Sequence, residues 1–334
     1  MDSLTHIAVG ACIGELVAGK QLGKKAMILG ALAQSIPDID FVTSWFMPVA
    51  ADLLAHRGFT HSILFGVLTT LLLATLSGKM FKSTLTFKKW CFFWGIQIFM
   101  HLFLDIFNVY GTGLLEPFSH YRVSLNTFFV LDPLFSIWPV IGLIILTILK
   151  SNNKIRTKVS VTLLSVSAFY MMCAVGNKLY INHKTEQSFQ TQHIKASRYF
   201  STPTALNNLL WYIVAQTDSG YYIGYRSVLD HKDTIQYRFV ANNHALIDFY
   251  KSSETARLKR FSQGYYIGGV LHDTVVFSDL RFGEMTAGLQ PNPRFSFYYY
   301  LSPAASNDVI IQRGRFSGWD KQIVNKFINR IKGN

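Results

Sequence analysis

Two histidines and an arginine stand together in His56-Arg57-Gly58-Phe59-Thr60-His61-Ser62. Imidazole nitrogens ligate divalent metals, and a guanidinium binds anions. His56 and His61 are five apart, so they do not share one helix face, where neighbours lie three or four apart. Gly58 therefore marks a turn, and Thr60 is placed to cap a helix that begins at His61. His101 and Asp105 are spaced i,i+4 within an otherwise apolar stretch, so on a helix they project from one face. A carboxylate and an imidazole in that setting must be paired, hydrated or ligated. His6 and Pro37-Asp38-Ile39-Asp40 supply three further candidates.

The pooled metal candidates are His6, Asp38, Asp40, His56, His61, His101 and Asp105, all nitrogen or oxygen donors. Such a set suits a divalent metal ion, zinc first, with manganese or iron as alternatives, and two metals are possible. Calcium fits poorly because it prefers oxygen ligands. A bound cation neutralises the carboxylates and takes the imidazoles in their neutral form. Arg57 cannot ligate a metal. It suits a phosphate or carboxylate group, or else an ion pair with Asp38 or Asp52. A carboxylate left unliganded, Asp40, would serve as general base. The catalytic assignments therefore fall on Asp40 and Arg57. There is no HExxH of a zincin and no G-x-S-x-G elbow.

Composition points to a membrane. Of the 334 residues 50% are hydrophobic and only 15% charged, a low charged fraction for a soluble protein. The apolar residues concentrate before residue 182. The net charge is +13, and the lysines before residue 182 cluster in short loops between apolar runs, as the positive-inside rule expects, so no nucleic-acid partner is expected. Cys12, Cys91 and Cys173 lie in apolar segments without a CxxC pattern and read as buried thiols. Residues 1–18 lack a basic leader region and are interrupted by Glu15, so no cleavable signal is expected.

The elements that must position the candidates follow from periodicity. Residues 4–19 and 26–36 read as short helices. His6, Gly10, Gly14 and Ala18 share a face of the first, and small residues at that spacing let another helix approach closely. Residues 61–77, 90–110, 131–149 and 159–180 read as spans, and 41–54 as an interfacial segment. The expected N-terminal architecture is an all-α polytopic membrane bundle of about five to six apolar helices. With the basic loops 20–25, 79–89 and 150–158 in the cytoplasm, His6, Asp38, Asp40, His56, His61 and Asp105 gather at the opposite ends, with His101 one turn deeper. After residue 182 the pattern changes to strands at 209–217, 221–229, 235–241, 265–271, 274–277 and 295–301, with helices at 245–261 and 321–332. The expected division is a membrane-embedded domain carrying the metal candidates, 1–181, followed by a smaller α+β extracytoplasmic domain, 182–334.

These motifs resemble the YdjM-like family of membrane-bound, metal-dependent hydrolases. The resemblance rests on Met1-Asp2-Ser3-Leu4-Thr5-His6, Pro37-Asp38-Ile39-Asp40, the His56–Ser62 stretch and His101-Leu102-Phe103-Leu104-Asp105, joined by Tyr110-Gly111-Thr112, Pro117-Phe118-Ser119 and Asp132. It covers roughly residues 1–180 and implies a hydrolase of the bacterial inner membrane. His101-xxx-Asp105 is also similar to the His-xxx-Asp zinc element of bacterial phospholipase C enzymes.

The function expected from the sequence is metal-dependent hydrolysis at the outer face of the cytoplasmic membrane. The expected partner is a lipid or lipid-linked (phospho)ester; nothing in the sequence specifies an oligomeric state. The rival expectation is a non-enzymatic membrane protein with a structural metal and a partner-binding outer domain. Reporter fusions after Lys154 are expected to read cytoplasmic and fusions after Lys184 extracytoplasmic; the reverse pattern would overturn both the site's placement and the second domain's.

Overall fold

The computed structural model describes residues 1–81, 84–250, 252–290, 293–302 and 318–333. Lys82, one of the cations of the second basic loop, lies outside them. The chain forms two compact units. The first comprises Met1–Phe46 and Ala55–Ala174, the second Met47–Leu54 and Val175–Asn334. The sequence boundary at 181/182 thus differs from the break between units, which falls inside one long helix, and a short internal segment joins the second unit.

The first unit is helical. Asp2 caps helix α1 (Ser3–Leu22) by accepting the Thr5 N–H at 3.0 Å. Helix α2 (Lys24–Ser35) packs against it. Their approach depends on missing side chains. A Cβ on Gly30 would lie 2.2 Å from the Gly10 carbonyl oxygen, and one on Gly14 the same 2.2 Å from that of Ala26. The small-residue face read from the sequence is therefore the α1–α2 contact. A 3-10 segment, Pro37–Trp45, follows, and the chain then leaves this unit to form α3 (Val49–Ala55), nearly all of which belongs to the second.

Helix α4 (Ile63–Met80) is capped by Ser62, which accepts the Phe65 N–H at 3.1 Å. The expected cap, Thr60, lies instead in a 3-10 turn, Phe59–His61, and its hydroxyl donates to Asp40. The turn itself also differs from expectation. Arg57, not Gly58, takes the left-handed backbone, with φ 58°. Its N–H donates to Asp40 Oδ2 at 2.7 Å, which holds that conformation. Helix α5 (Phe87–Asp105) packs on α4 and α2, and α6 (Pro133–Ile148), capped by Asp132, packs on α1. Helix α7 (Ile155–Thr191) passes from the first unit into the second.

Two of the described helices, α4 and α7, are long and apolar enough to cross a membrane. Only 22% and 17% of their most apolar stretches are buried. Their apolar side chains face outward, the reverse of a soluble bundle. This also corrects the reading of Cys173, which is exposed on α7, while Cys12 is buried. At 37 residues α7 is about 55 Å long, well beyond the ~30 Å of a bilayer core.

At the basic end of the bundle, Glu15 is buried and paired. Arg156 donates to both of its oxygens, Nε at 2.9 Å and Nη2 at 2.6 Å. Arg156 Nη1 also donates to the carbonyls of Leu146 and Leu149 at the end of α6.

The second unit holds two antiparallel sheets. In one, β1 (Arg198–Pro203), β2 (Leu210–Gln216), β3 (Gly220–Ser227) and β4 (Tyr237–Ala241) lie in sequence order. In the other, β5 (Tyr266–Leu271) and β7 (Phe295–Tyr300) flank β6 (Thr274–Glu284). Tyr212, Val214 and Ile223 of the first sheet share a core with Ile267 and Leu280 of the second. Trp211, Ile213 and Ala215 on the other face pack on Ile181 and Phe189 of α7. The helix expected over 245–261 is two short helices, His244–Asp248 and Ser253–Phe261. Strand β1 was not expected, because its Ser201, Thr202 and Pro203 hide a strand signal.

Replacing Arg156 by Leu should cost about 3–5 kcal/mol, because it strands a buried carboxylate, whereas the double change with Glu15→Leu should recover most of that loss. Thermal unfolding of the four proteins in one detergent checks this. Equal destabilisation of the single and double variants would mean the pair does not act as a pair.

Candidate metal centre

Four side chains from three segments converge at the other end of the bundle. Asp38 comes from the 3-10 segment after α2, His61 from the turn before α4, and His101 and Asp105 from the last turns of α5. One donor atom from each lies within 4.8 Å of all the others. His61 Nε2 is 3.1 Å from His101 Nε2, 3.3 Å from Asp105 Oδ2 and 3.5 Å from Asp38 Oδ1. His101 Nε2 is 3.5 Å from both carboxylate oxygens. Four ligands held tetrahedrally about 2.0 Å from a zinc ion stand about 3.3 Å apart, so these spacings suit such a site.

The hydrogen bonds behind the cluster fix how the imidazoles point. His101 Nδ1 lies 2.6 Å from the Gln34 carbonyl oxygen. That oxygen only accepts, so Nδ1 carries the hydrogen and Nε2 presents a lone pair to the cluster. His61 Nδ1 faces Thr60 Oγ1 at 3.1 Å and Asp40 Oδ2 at 3.3 Å. With that hydrogen also committed, two imidazole Nε2 atoms face each other between two carboxylate oxygens. Only a cation or a proton makes that arrangement favourable.

The electrostatics agree. Burial alone would lower the pKa of His61, but hydrogen bonds to Asp105, Asp38 and Asp40 outweigh it and raise the pKa to about 10. Burial would raise Asp38 and Asp40, yet contacts with His101 and His61 for the first, and with His56 and His61 for the second, hold both well below the usual carboxylate range. The field at His61 Nε2 thus favours a positive charge. A metal ion and a proton would compete for the same place.

The remaining candidates surround this cluster. His6 stacks on His101, ring centroids 3.8 Å apart, and its Nε2 lies 3.2 Å from Asp105 Oδ1. It therefore adjoins the cluster on the far oxygen of a shared carboxylate. Asp40 and His56 are not brought into the four-residue cluster. Asp40 holds the His61 ring at Nδ1, the Thr60 hydroxyl, the Arg57 N–H and His56 Nδ1, the last at 3.1 Å. Asp40 is thus a positioning carboxylate behind His61, and both its oxygens are engaged.

Arg57 pairs with neither Asp38 nor Asp52. Its Nε lies 3.3 Å from Asp105 Oδ2, its Nη2 donates to the Met1 carbonyl, and the guanidinium sits over Tyr110. It is almost wholly buried, and Nη1 has no hydrogen-bond partner among the described residues. The Met1 amino group also contacts Asp105. Asp132 lies apart from the cluster, accepting the Tyr170 hydroxyl at 2.8 Å. Residues 111–113 back the turn, with the Gly113 N–H donating to the Arg57 carbonyl at 2.9 Å.

Sequence reasoning missed Gln34. Its backbone carbonyl sets the His101 tautomer and its side-chain oxygen meets His6 Nδ1 at 3.3 Å. The available signal was a lone amide in an apolar helix. Gln97, one turn before His101, is linked to it and donates to the Gly10 carbonyl at 3.1 Å.

A helical unit with outward apolar faces and a buried cluster of metal-ligating donors at one end defines a membrane protein with a candidate metal centre. The chain belongs to the YdjM inner membrane protein family, whose model matches residues 1–179. It is 30% identical over 141 residues to the uncharacterized protein YfhP of Bacillus subtilis (strain 168), covering 40% of this chain and 42% of that protein. It is also 30% identical over 121 residues to the inner membrane protein YbcI of Escherichia coli (strain K12), covering 36% of this chain and 69% of that one. No solved structure matches.

Replacing Asp40 by Asn should weaken metal binding about ten- to hundred-fold through the loosened His61 ring, while Asp38→Ala should remove a ligand and cost more. Competition titration against a zinc chelator checks the order. Equal losses would return Asp40 to the ligand set.

Proposed function

We propose that this protein is a metal-dependent hydrolase of the inner membrane that cleaves a lipid or lipid-linked phosphoester. The observation that carries the proposal is the buried His61, His101, Asp38 and Asp105 cluster with imidazole lone pairs converging on one point. Its two nitrogens and two oxygens favour zinc, with manganese or iron as alternatives. A metal bound there would lower the pKa of a coordinated water and polarise the scissile group. Asp40 holds His61 in its ligating tautomer, and Gln34 does the same for His101. Asp38 is the most accessible of the four, its side chain 20% exposed, and marks the approach side.

Arg57 supports an anionic substrate. Its buried guanidinium adjoins Asp105, and its Nη1 awaits a partner. A phosphoryl oxygen would satisfy that donor and gain a charge-assisted hydrogen bond. The surroundings support a lipid source. Trp45 (69% exposed), Phe46 (80%), Phe118 (83%) and Tyr121 (68%) stand on the segments around the site, and aromatic residues of this kind favour the membrane–water interface. The positive-inside pattern of the basic loops supports a multi-pass bundle of five or six helices, about the number of apolar runs, with the site and the second domain on the extracytoplasmic side.

The rival reading, a structural metal with a partner-binding outer domain, has one point in its favour. Four protein ligands at tetrahedral spacing could close the coordination sphere. X-ray absorption on the zinc-loaded protein separates the two, since a catalytic site keeps an exchangeable water. Protein depleted of metal and reloaded with zinc or manganese should hydrolyse members of a phospholipid and phosphoester panel. Arg57→Lys should keep its metal but lose about ten- to hundred-fold in kcat/KM, the equivalent of about 1.5–3 kcal/mol for one charged hydrogen bond. A saturated protein-only sphere together with no metal-dependent turnover would sink the enzymatic reading. Metal release by the Arg57 variant would make that residue structural.

A further inference from the structure

The chain between the two halves of the candidate site does not stay in the helical unit. It leaves after Phe46, supplies Met47–Leu54 to the second unit, and returns at Ala55. This excursion has a core of its own. Ala50 on α3 is fully buried with Ile247, Leu258, Phe277, Tyr299 and Leu301, and Val49 and Leu53 pack beside it. All five partners lie about 200 residues or more along the chain from α3, in the helices and sheet of the second unit.

The base of the same loop is the site. Asp40 closes it, accepting the Arg57 N–H at 2.7 Å, the Thr60 hydroxyl at 3.2 Å and His56 Nδ1 at 3.1 Å. Asp38 stands just before the loop and His61 just after it. Free loops lose considerable entropy on ordering, and a loop anchored only at its base would spread that disorder into the residues that close it. Here the tip is anchored too, by apolar contacts within the second unit.

We infer that the second unit positions the metal-binding turn by gripping Met47–Leu54, so that the order of Asp38, Asp40, Arg57 and His61 depends on a domain that contributes no ligand. The inference about metal affinity rests on the proposed metal centre; the inference about order does not. Ala50 and Leu53 are, on this view, positioning residues.

The test uses the full chain. Short Gly-Ser linkers inserted between Phe46 and Met47 and between Leu54 and Ala55 leave α3 in its seat but slacken the tether. Hydrogen exchange of residues 55–61 should then rise about ten-fold, while β2 (Leu210–Gln216) stays protected. Zinc affinity should fall about ten- to hundred-fold, as when supports behind ligands are lost. Ala50→Asp, which drives the segment from its seat, should give the same rise in exchange at residues 55–61. Unchanged exchange there in both variants would overturn the inference. Loss of β2 protection in the linker variant would also overturn it, because the tether would then serve the second unit's fold. If the unaltered protein bound no metal yet the exchange rose, the metal centre would be wrong and the positioning role would stand.

Discussion

Everything at the site end of the bundle is organised around one electrostatic constraint. Three carboxylates, Asp38, Asp40 and Asp105, lie against imidazoles at the end of apolar helices, with water largely excluded. Each buried charge is costly unless paired and hydrogen-bonded. The chain meets that cost by committing each Nδ1 of His61 and His101 to a fixed oxygen. The opposite nitrogens then converge on one point. The raised pKa of His61 reports the same field from the proton's side.

Packing and polar chemistry are joined through the α1–α2 contact. Gly10 and Gly30 bring the two backbones together, and a Cβ on Gly30 would also meet Gln97 Nε2, at 2.7 Å. That amide donates to the Gly10 carbonyl and accepts from Gln34, whose own backbone orients His101. A side chain at Gly30 would therefore disturb a helix contact and a ligand's tautomer together. Close approach of small residues here provides stability and also delivers the end of α2 to the site.

Much of this was legible in the sequence because its signals are local. The i,i+4 spacing of His101 and Asp105, the small-residue face of α1, the apolar runs and the alternation of the strands after residue 182 each appear within one element. The apolar helices read at 61–77 and 131–149 lie within a few residues of those observed, Ile63–Met80 and Pro133–Ile148. What escaped depends on contacts between distant segments. Asp40 looks like a ligand beside Asp38, but the direction of each carboxylate is set by the 3-10 geometry of Pro37–Trp45. Gln34 orients His101 through its backbone carbonyl, a role that its side-chain type does not announce. The transfer of Met47–Leu54 to the second unit requires the core around Ile247 and Phe277, about 200 residues away.

The two ends of the helical unit resolve buried charge in different ways, and the difference bears on the metal. At the basic end, Glu15 receives two hydrogen bonds from a single Arg156, and no donor is left over from that pairing. The balance is internal and complete. At the site end, Asp105 meets Arg57 and the Met1 amine directly, whereas Asp38 feels the amine only through space. Within contact distance among the described residues, it meets only the Ser3 hydroxyl and the two imidazole Nε2 atoms. Another arginine would have neutralised Asp38 as simply as Arg156 does Glu15. Instead the chain presents imidazole nitrogens, which either take up a proton or share a lone pair with a metal ion. That choice of side chains balances the charge when a proton or a metal ion occupies the point they share.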